Sequence, residues 1–158
     1  MPEKQSVQFP DQYIWGVSAA SYQIEGYPLA DGAVPSIWHR FAHTPGKIDN
    51  NENGDTACDH YHRYPQDIEH MHRLGVDSFR FSTAWPRIVP EPGKVNQKGV
   101  DFYSKLVDEL LKKNIEPLCT LFHWDAPVWL FERGGFLNRD SASYMREYSE
   151  VLFRALGD

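Results

Sequence analysis

Three short strand-like runs, Tyr13–Ala20, Val76–Ser82 and Ile115–Phe122, alternate with stretches of helical periodicity, and this order restricts the fold more than any other feature. Pro65 suits a first helical position, Gly75 a stop, and Ile68, Met71, His72 and Leu74 are spaced to face inward between them. Asn96 can cap a second helix with Val100, Tyr103, Val107, Leu110 and Leu111 on one face and Asn114 at its end. A third helix is expected from about Ser141 to Leu156, with Tyr144, Tyr148, Val151, Leu152 and Ala155 inward and Gly157 as its stop. Strands that alternate with helices run parallel and are joined by right-handed crossovers. The run Ile115–Phe122 is nearly all apolar, as expected of a strand buried on both faces. Three such units do not close a sheet. The periodicity alone leaves two architectures, a small open α/β sheet or the first part of an eight-stranded barrel of about 250 residues or more, and slightly favours the first.

Composition narrows the class of partner. A chain of 158 residues is long enough for one domain and too short for two, and its 41% hydrophobic and 24% charged residues are the make-up of a folded chain and not of a disordered one. Its formal charge of −6 argues against nucleic acid and an anionic membrane as main partners, and no apolar run reaches the roughly 18 residues that cross a bilayer. The N-terminus, Met1 to Ser6, lacks a basic region followed by an apolar stretch, and the two cysteines, Cys58 and Cys119, make no disulfide framework. Both thiols are expected to be buried and reduced, in a cytoplasmic protein. Aromatic residues make up 14% of the chain, more than such a core needs, so some should line a binding surface. The stretch from Gly26 to Asp55 is broken by prolines and glycines, yet its Trp38 and Phe41 predict that it packs.

In α/β sheets ligands bind at the carboxyl ends of the strands. Those ends read Tyr22-Gln23-Ile24-Glu25, Arg80 to Arg87, and His123-Trp124-Asp125. Gln, His and Asp can hydrogen-bond vicinal hydroxyls and a Trp face can cover the C–H patch of a sugar, so three such clusters in succession suggest a carbohydrate site. Alternation along the second strand puts Val76, Ser78, Arg80 and Ser82 on one face and Phe79 and Phe81 on the other. Arg80 then points into the interior, where a guanidinium needs an anion. Glu25 or Asp125 could be a local partner, or Arg80 could orient a carboxylate with a chemical task. Glu25 and Asp125 could themselves act as an acid–base pair, given carboxyls about 5 to 5.5 Å apart for retention or about 6.5 to 9.5 Å for inversion of a glycoside, although a loop-holding role suits them better. The histidines of Cys58-Asp59-His60-Tyr61-His62 and His70-Met71-His72 sit at i, i+2 spacing and do not converge, so no metal site is read from them, and no cofactor motif appears.

Several longer motifs resemble glycoside hydrolase family 1, the β-glucosidase family. They are Tyr13 to Gly26 (YIWGVSAASYQIEG), Pro35 to Trp38 (PSIW), Gly54 to Tyr64 (GDTACDHYHRY), Phe79 to Ile88 (FRFSTAWPRI), Thr120 to Asp125 (TLFHWD) and Gly134 to Arg139 (GGFLNR). The resemblance runs in order over almost the whole chain. It implies a (β/α)8 TIM barrel, of which this chain supplies about the first three βα units, and retaining hydrolysis of terminal β-linked sugars. By the same analogy Gln23 and His123 hold glycone hydroxyls, Trp124 walls the subsite, and Arg80 pairs with the nucleophilic carboxylate. The family's acid/base glutamate lies in an Asn-Glu-Pro motif ending the fourth strand and its nucleophile in a Glu-Asn-Gly motif on the seventh, so both are expected beyond Asp158. The chain is thus expected to be inactive alone and to need a complementary C-terminal barrel segment or chain. The alternative is a non-catalytic half-barrel module that binds sugar or protein. Departures from the family pattern are Phe136 where Trp is usual, Ala126 where Leu is common, and Ala33-Val34 with His39 in place of Arg-Gly with Asp.

Overall fold

The computed structural model of the chain describes residues 7–157; the N-terminal hexapeptide on which the absence of a leader was read lies outside them. Three strands, β1 (Gly16–Ala19), β2 (Ser78–Ser82) and β3 (Glu116–Thr120), form one parallel sheet in the order β1-β2-β3. The register sets Ser18, Arg80 and Leu118 side by side, and Ala19, Phe81 and Cys119 beside one another. Every strand leads into helices. A short α1 (Ser21–Ile24), α2 (Ile37–Ala42) and α3 (His60–Arg73) follow β1; α4 (Trp85–Ile88) and α5 (Gln97–Lys112) follow β2; α6 (Val128–Glu132) and α7 (Ser141–Leu156) follow β3. Among the described residues no helix is long and apolar enough to cross a membrane.

The alternation read along β2 holds. Phe79 and Phe81 are buried against the helices with Ile68, Tyr103, Leu106, Leu110 and Ile115. Trp85, just past β2, stacks on Tyr148 of α7 with ring planes 3° apart and centroids 4.7 Å apart. Each large apolar side chain so removed from water contributes about 1.5–3 kcal/mol, and these residues from five elements and the approach to β3 form one core.

Several boundaries and faces differ from expectation, each for a local reason. Pairing of β1 starts only at Gly16, because Tyr13 and Trp15 instead interlock with Phe9, all three ring centroids 4.7 Å apart. Helix α3 begins five residues before Pro65 and tolerates it inside, since tertiary contacts pin the first turn: Tyr61 N–H donates to Glu25 C=O at 3.0 Å and the buried His60 Nδ1 meets Asp67 at 2.7 Å. Its inward face is His60, Tyr61, Tyr64, Ile68 and Met71, whereas His72 and Leu74 are exposed. In α5 the buried row is Val100, Tyr103, Leu106 and Leu110, and Leu111 points to solvent. Asn96 precedes α5 but does not cap it with its side chain, which donates instead to Asp31 C=O at 3.0 Å and Arg87 C=O at 2.8 Å. Asn114 ends that helix in the left-handed region, φ 56°, a conformation Asn tolerates.

Strand β3 is not buried on both faces. It has a hydrogen-bonded neighbour on one side only, and Leu118 is half exposed. Cys119 on this edge and Cys58 in the loop before α3 are both free and exposed, which corrects the expectation of buried thiols. The stretch from Gly26 to Asp55 holds α2 and two short 3₁₀ turns, but Trp38 and Phe41 remain partly exposed.

Candidate functional site

The carboxyl ends of the three strands meet, and the chemistry binding them together is polar. Ser21 N–H donates to Ser82 Oγ at 2.9 Å, and Ser21 Oγ–H donates to Asp125 Oδ2 at 2.6 Å, so one hydroxyl ties the ends of β1 and β2 to the segment beyond β3. Asp125 is 2% exposed, and burial first, with the nearby Glu25 charge, pushes its carboxyl up to about 6. Beside it, Arg87 Nε donates to Glu25 Oε2 at 3.2 Å while Tyr103 Oη–H donates to Glu25 Oε1 at 2.5 Å. Arg87 also reaches Gly26 and Tyr27 carbonyls at 3.4 and 3.3 Å, and its guanidinium lies 4.1 Å over the Tyr61 ring. Glu25 and Asp125 are therefore engaged as loop anchors, which favours the structural role over an acid–base pair. A cavity of about 20 Å³ lined by Glu25, Arg87, Asp125 and Ser21 separates these groups. Asp125 Oδ1 and Arg87 Nη1 have no protein partner, and such a cavity is large enough for one bridging water.

Above this platform the sequence-picked ligand residues gather. Gln23, His123 and Trp124 line one open pocket of about 370 Å³ together with Ala20, Tyr22 and Trp38. Gln23 stands on α1 and is exposed, with Oε1 3.4 Å from the Ala20 N–H; His123 is half buried and meets Trp124 edge to face at 5.8 Å. Trp124 is 66% exposed and holds φ +76°, a conformation non-glycine residues adopt only where surrounding structure imposes it. The pocket thus offers an amide, an imidazole and indole faces, a donor, acceptor and stacking set suited to a polyhydroxylated ring.

Arg80 lies outside that pocket, on the face of the sheet away from the helices. It is exposed, not buried: its register neighbours Ser18 and Leu118 do not cover it. Its Nε–H donates to Thr120 Oγ1 at 2.9 Å, and it forms no ion pair with an acid among the described residues. Of the two local partners considered for it, Glu25 pairs with Arg87 and Asp125 accepts from Ser21. Sequence reasoning missed Arg87 because the one-turn helix α4, not strand alternation, aims its side chain inward. It also passed over His39 and His43, an i, i+4 pair whose spacing was readable. The tripeptide Glu52-Asn53-Gly54 repeats the letters of the strand-seven nucleophile motif, but it sits in an exposed loop before α3 and not at a strand end.

The chain matches glycosyl hydrolase family 1 over residues 5–158. It is 57% identical over 152 residues to a 1,4-beta-D-glucan glucohydrolase of Thermotoga neapolitana, a match covering 96% of this chain and 36% of that protein. It is 56% identical to beta-glucosidase A of Thermotoga maritima, covering 96% of this chain and 34% of that one. The solved beta-glucosidase from Thermotoga maritima in complex with deoxynojirimycin superposes with a TM-score of 0.92 at 56% identity, over 95% of this chain and 34% of that chain. The chain therefore spans about a third of the length of the curated relatives it matches.

Proposed function

The chain belongs to glycosyl hydrolase family 1, and from that premise we propose that it carries the glycone-binding part of a retaining β-glycosidase of β-glucosidase type. Its three parallel βα units are part of that family's (β/α)8 barrel. Gln23 and His123 hold sugar hydroxyls, and Trp124 covers an apolar ring face. The acid/base and nucleophile glutamates belong to segments outside these 158 residues. Arg80 meets the nucleophile from β2, keeping it ionised and in place. That pairing explains an arginine in mid-strand without an acid among the described residues. The observation that carries the reading is the shared pocket: three side chains chosen for sugar chemistry, from α1 and the turn after β3, face one cleft at the strand ends. Relatives named as beta-glucosidases, one solved with deoxynojirimycin, support the substrate class. Two free cysteines support a reducing, cytoplasmic setting.

The test is hydrolysis of an aryl β-glucoside. The 158-residue chain alone should release no aglycone above the uncatalysed rate, and supplying the remaining two-thirds of Thermotoga maritima beta-glucosidase A, as a fusion or a second chain, should restore turnover. Normal turnover by the chain alone would overturn the assignment of both catalytic glutamates to other segments. A folded complemented protein without turnover would leave the non-catalytic binding module as the better reading.

A further inference from the structure

From the sequence upward, His39 and His43 share one side of a helix because residues four apart are neighbours there. Ser36 fixes where that helix starts: its Oγ accepts the His39 N–H at 3.0 Å, and Ile37 N–H donates to Ala126 C=O at 2.8 Å. The loop before α3 brings Asp55 opposite, its C=O accepting Tyr27 N–H at 2.6 Å and its own N–H donating to Asn53 Oδ1 at 3.1 Å. The Asp55 carboxylate then faces both imidazoles, Oδ1 3.5 Å from His39 Nδ1 and Oδ2 3.0 Å from His43 Nε2; the two rings lie with centroids 4.1 Å apart, and one donor atom from each residue lies within 4.8 Å of the others.

We propose that His39, His43 and Asp55 form a binding site for a divalent transition ion of borderline character, Zn²⁺ being the representative. Ligand atoms about 2.0–2.1 Å from a tetrahedral ion stand about 3.3 Å from one another, a spacing that falls inside the 4.8 Å within which the three donor atoms lie. Two imidazoles and one carboxylate are the donor set such ions prefer, and hard oxygen-seeking cations do not. His43 is prepared for the role. Its Nδ1–H donates to the His39 carbonyl at 2.8 Å, the backbone contact that fixes a ligating tautomer and turns Nε2 towards Asp55. His39 Nδ1 is buried without any hydrogen-bond partner, and its side chain is 13% exposed, so an ion satisfies an atom the protein leaves orphaned. Any proton held between His43 Nε2 and Asp55 leaves to solvent as the ion enters. Asp55 and His43 remain open enough for water to complete the coordination. The site is distinct from the sugar pocket, none of whose lining residues it uses.

The test is isothermal titration of the metal-free 158-residue chain with zinc chloride, followed by cobalt substitution read by visible absorption. One Zn²⁺ per chain, with His39→Ala and Asp55→Asn each weakening it by more than about 100-fold, is the expected result, together with the intense d–d bands of a tetrahedral cobalt site. No binding at millimolar zinc, or one-to-one binding unchanged in both variants, overturns the proposal. Circular dichroism checks the fold of each variant; if His39→Ala unfolds, His39→Gln, which keeps volume, takes its place and must show the same loss.

Discussion

Removing Arg87 is the sharpest probe of how the strand ends are held. Its guanidinium and the Glu25 carboxylate are 2% and 6% exposed, so neither can recover hydration if the other is lost. Arg87→Met keeps the aliphatic stem and most of the volume while deleting the ion pair at 3.2 Å, two bonds to loop carbonyls and the contact with Tyr61. Glu25 would keep only the Tyr103 hydroxyl. Stripping one partner from a buried pair costs about 3–5 kcal/mol, and for a chain of this size about 2–4 °C of Tm follows each kcal/mol, so the loss should be roughly 6–20 °C. Urea unfolding followed by circular dichroism at pH 7 measures it, with an unchanged m-value showing that the denatured state is the same. Pairing the change with Glu25→Gln should return part of the loss, because a neutral amide no longer needs a counter-charge. A loss under about 1 kcal/mol, the worth of a surface pair, would refute the reasoning by showing that water reaches both groups.

Two further outcomes follow from the same region. The Asp125 carboxyl is raised from 3.8 to about 6, so between those values the folded chain binds more protons than the unfolded one and stability falls as pH rises, by about 3 kcal/mol in all; Asp125→Asn should abolish this slope in urea titrations from pH 4 to 7, and an equal slope in the variant would rule Asp125 out as its source. Trp124→Gly removes a side chain from a φ of +76° where glycine is at ease, so Tm should hold or rise slightly, while affinity for deoxynojirimycin in the complemented protein drops tenfold or more; a Tm loss above a few degrees would make Trp124 a packing anchor instead of a ligand wall.

The elements were legible in the sequence where their physics is local. Alternation along Ser78–Ser82 put Phe79 and Phe81 on the core face, and 3.6-residue periodicity found α7 with Tyr148 and Leu152 inward. The pocket was legible too, because strand ends gather in any parallel α/β sheet and Gln23, His123 and Trp124 stand at two of them. What a pattern cannot give is the choice of partner. Arg80 and Arg87 are seven residues apart in one motif, and both could claim Glu25. The one-turn helix α4 delivers Arg87 to it, with Tyr103 closing the other side, and no periodicity records that turn. The same holds for Asp55, which meets His39 and His43 across a loop.

The mismatch at β3 carries an argument of its own. Its sequence is written for burial on both faces, yet Leu118 is half exposed, and on β1 Val17 is 40% exposed. A strand at the rim of a finished open sheet is usually blunted with charge, because an apolar rim invites pairing with other chains. Here the rim carries Leu118 and Cys119, and the face at the same register carries Arg80, which forms no ion pair among the described residues. On the proposed function, apolar edge and arginine share one completion: further strands beside β3 that bring a carboxylate to Arg80. A β-glycosidase barrel that supplies its nucleophile from another strand meets both demands at once, whereas a self-sufficient three-stranded module meets neither.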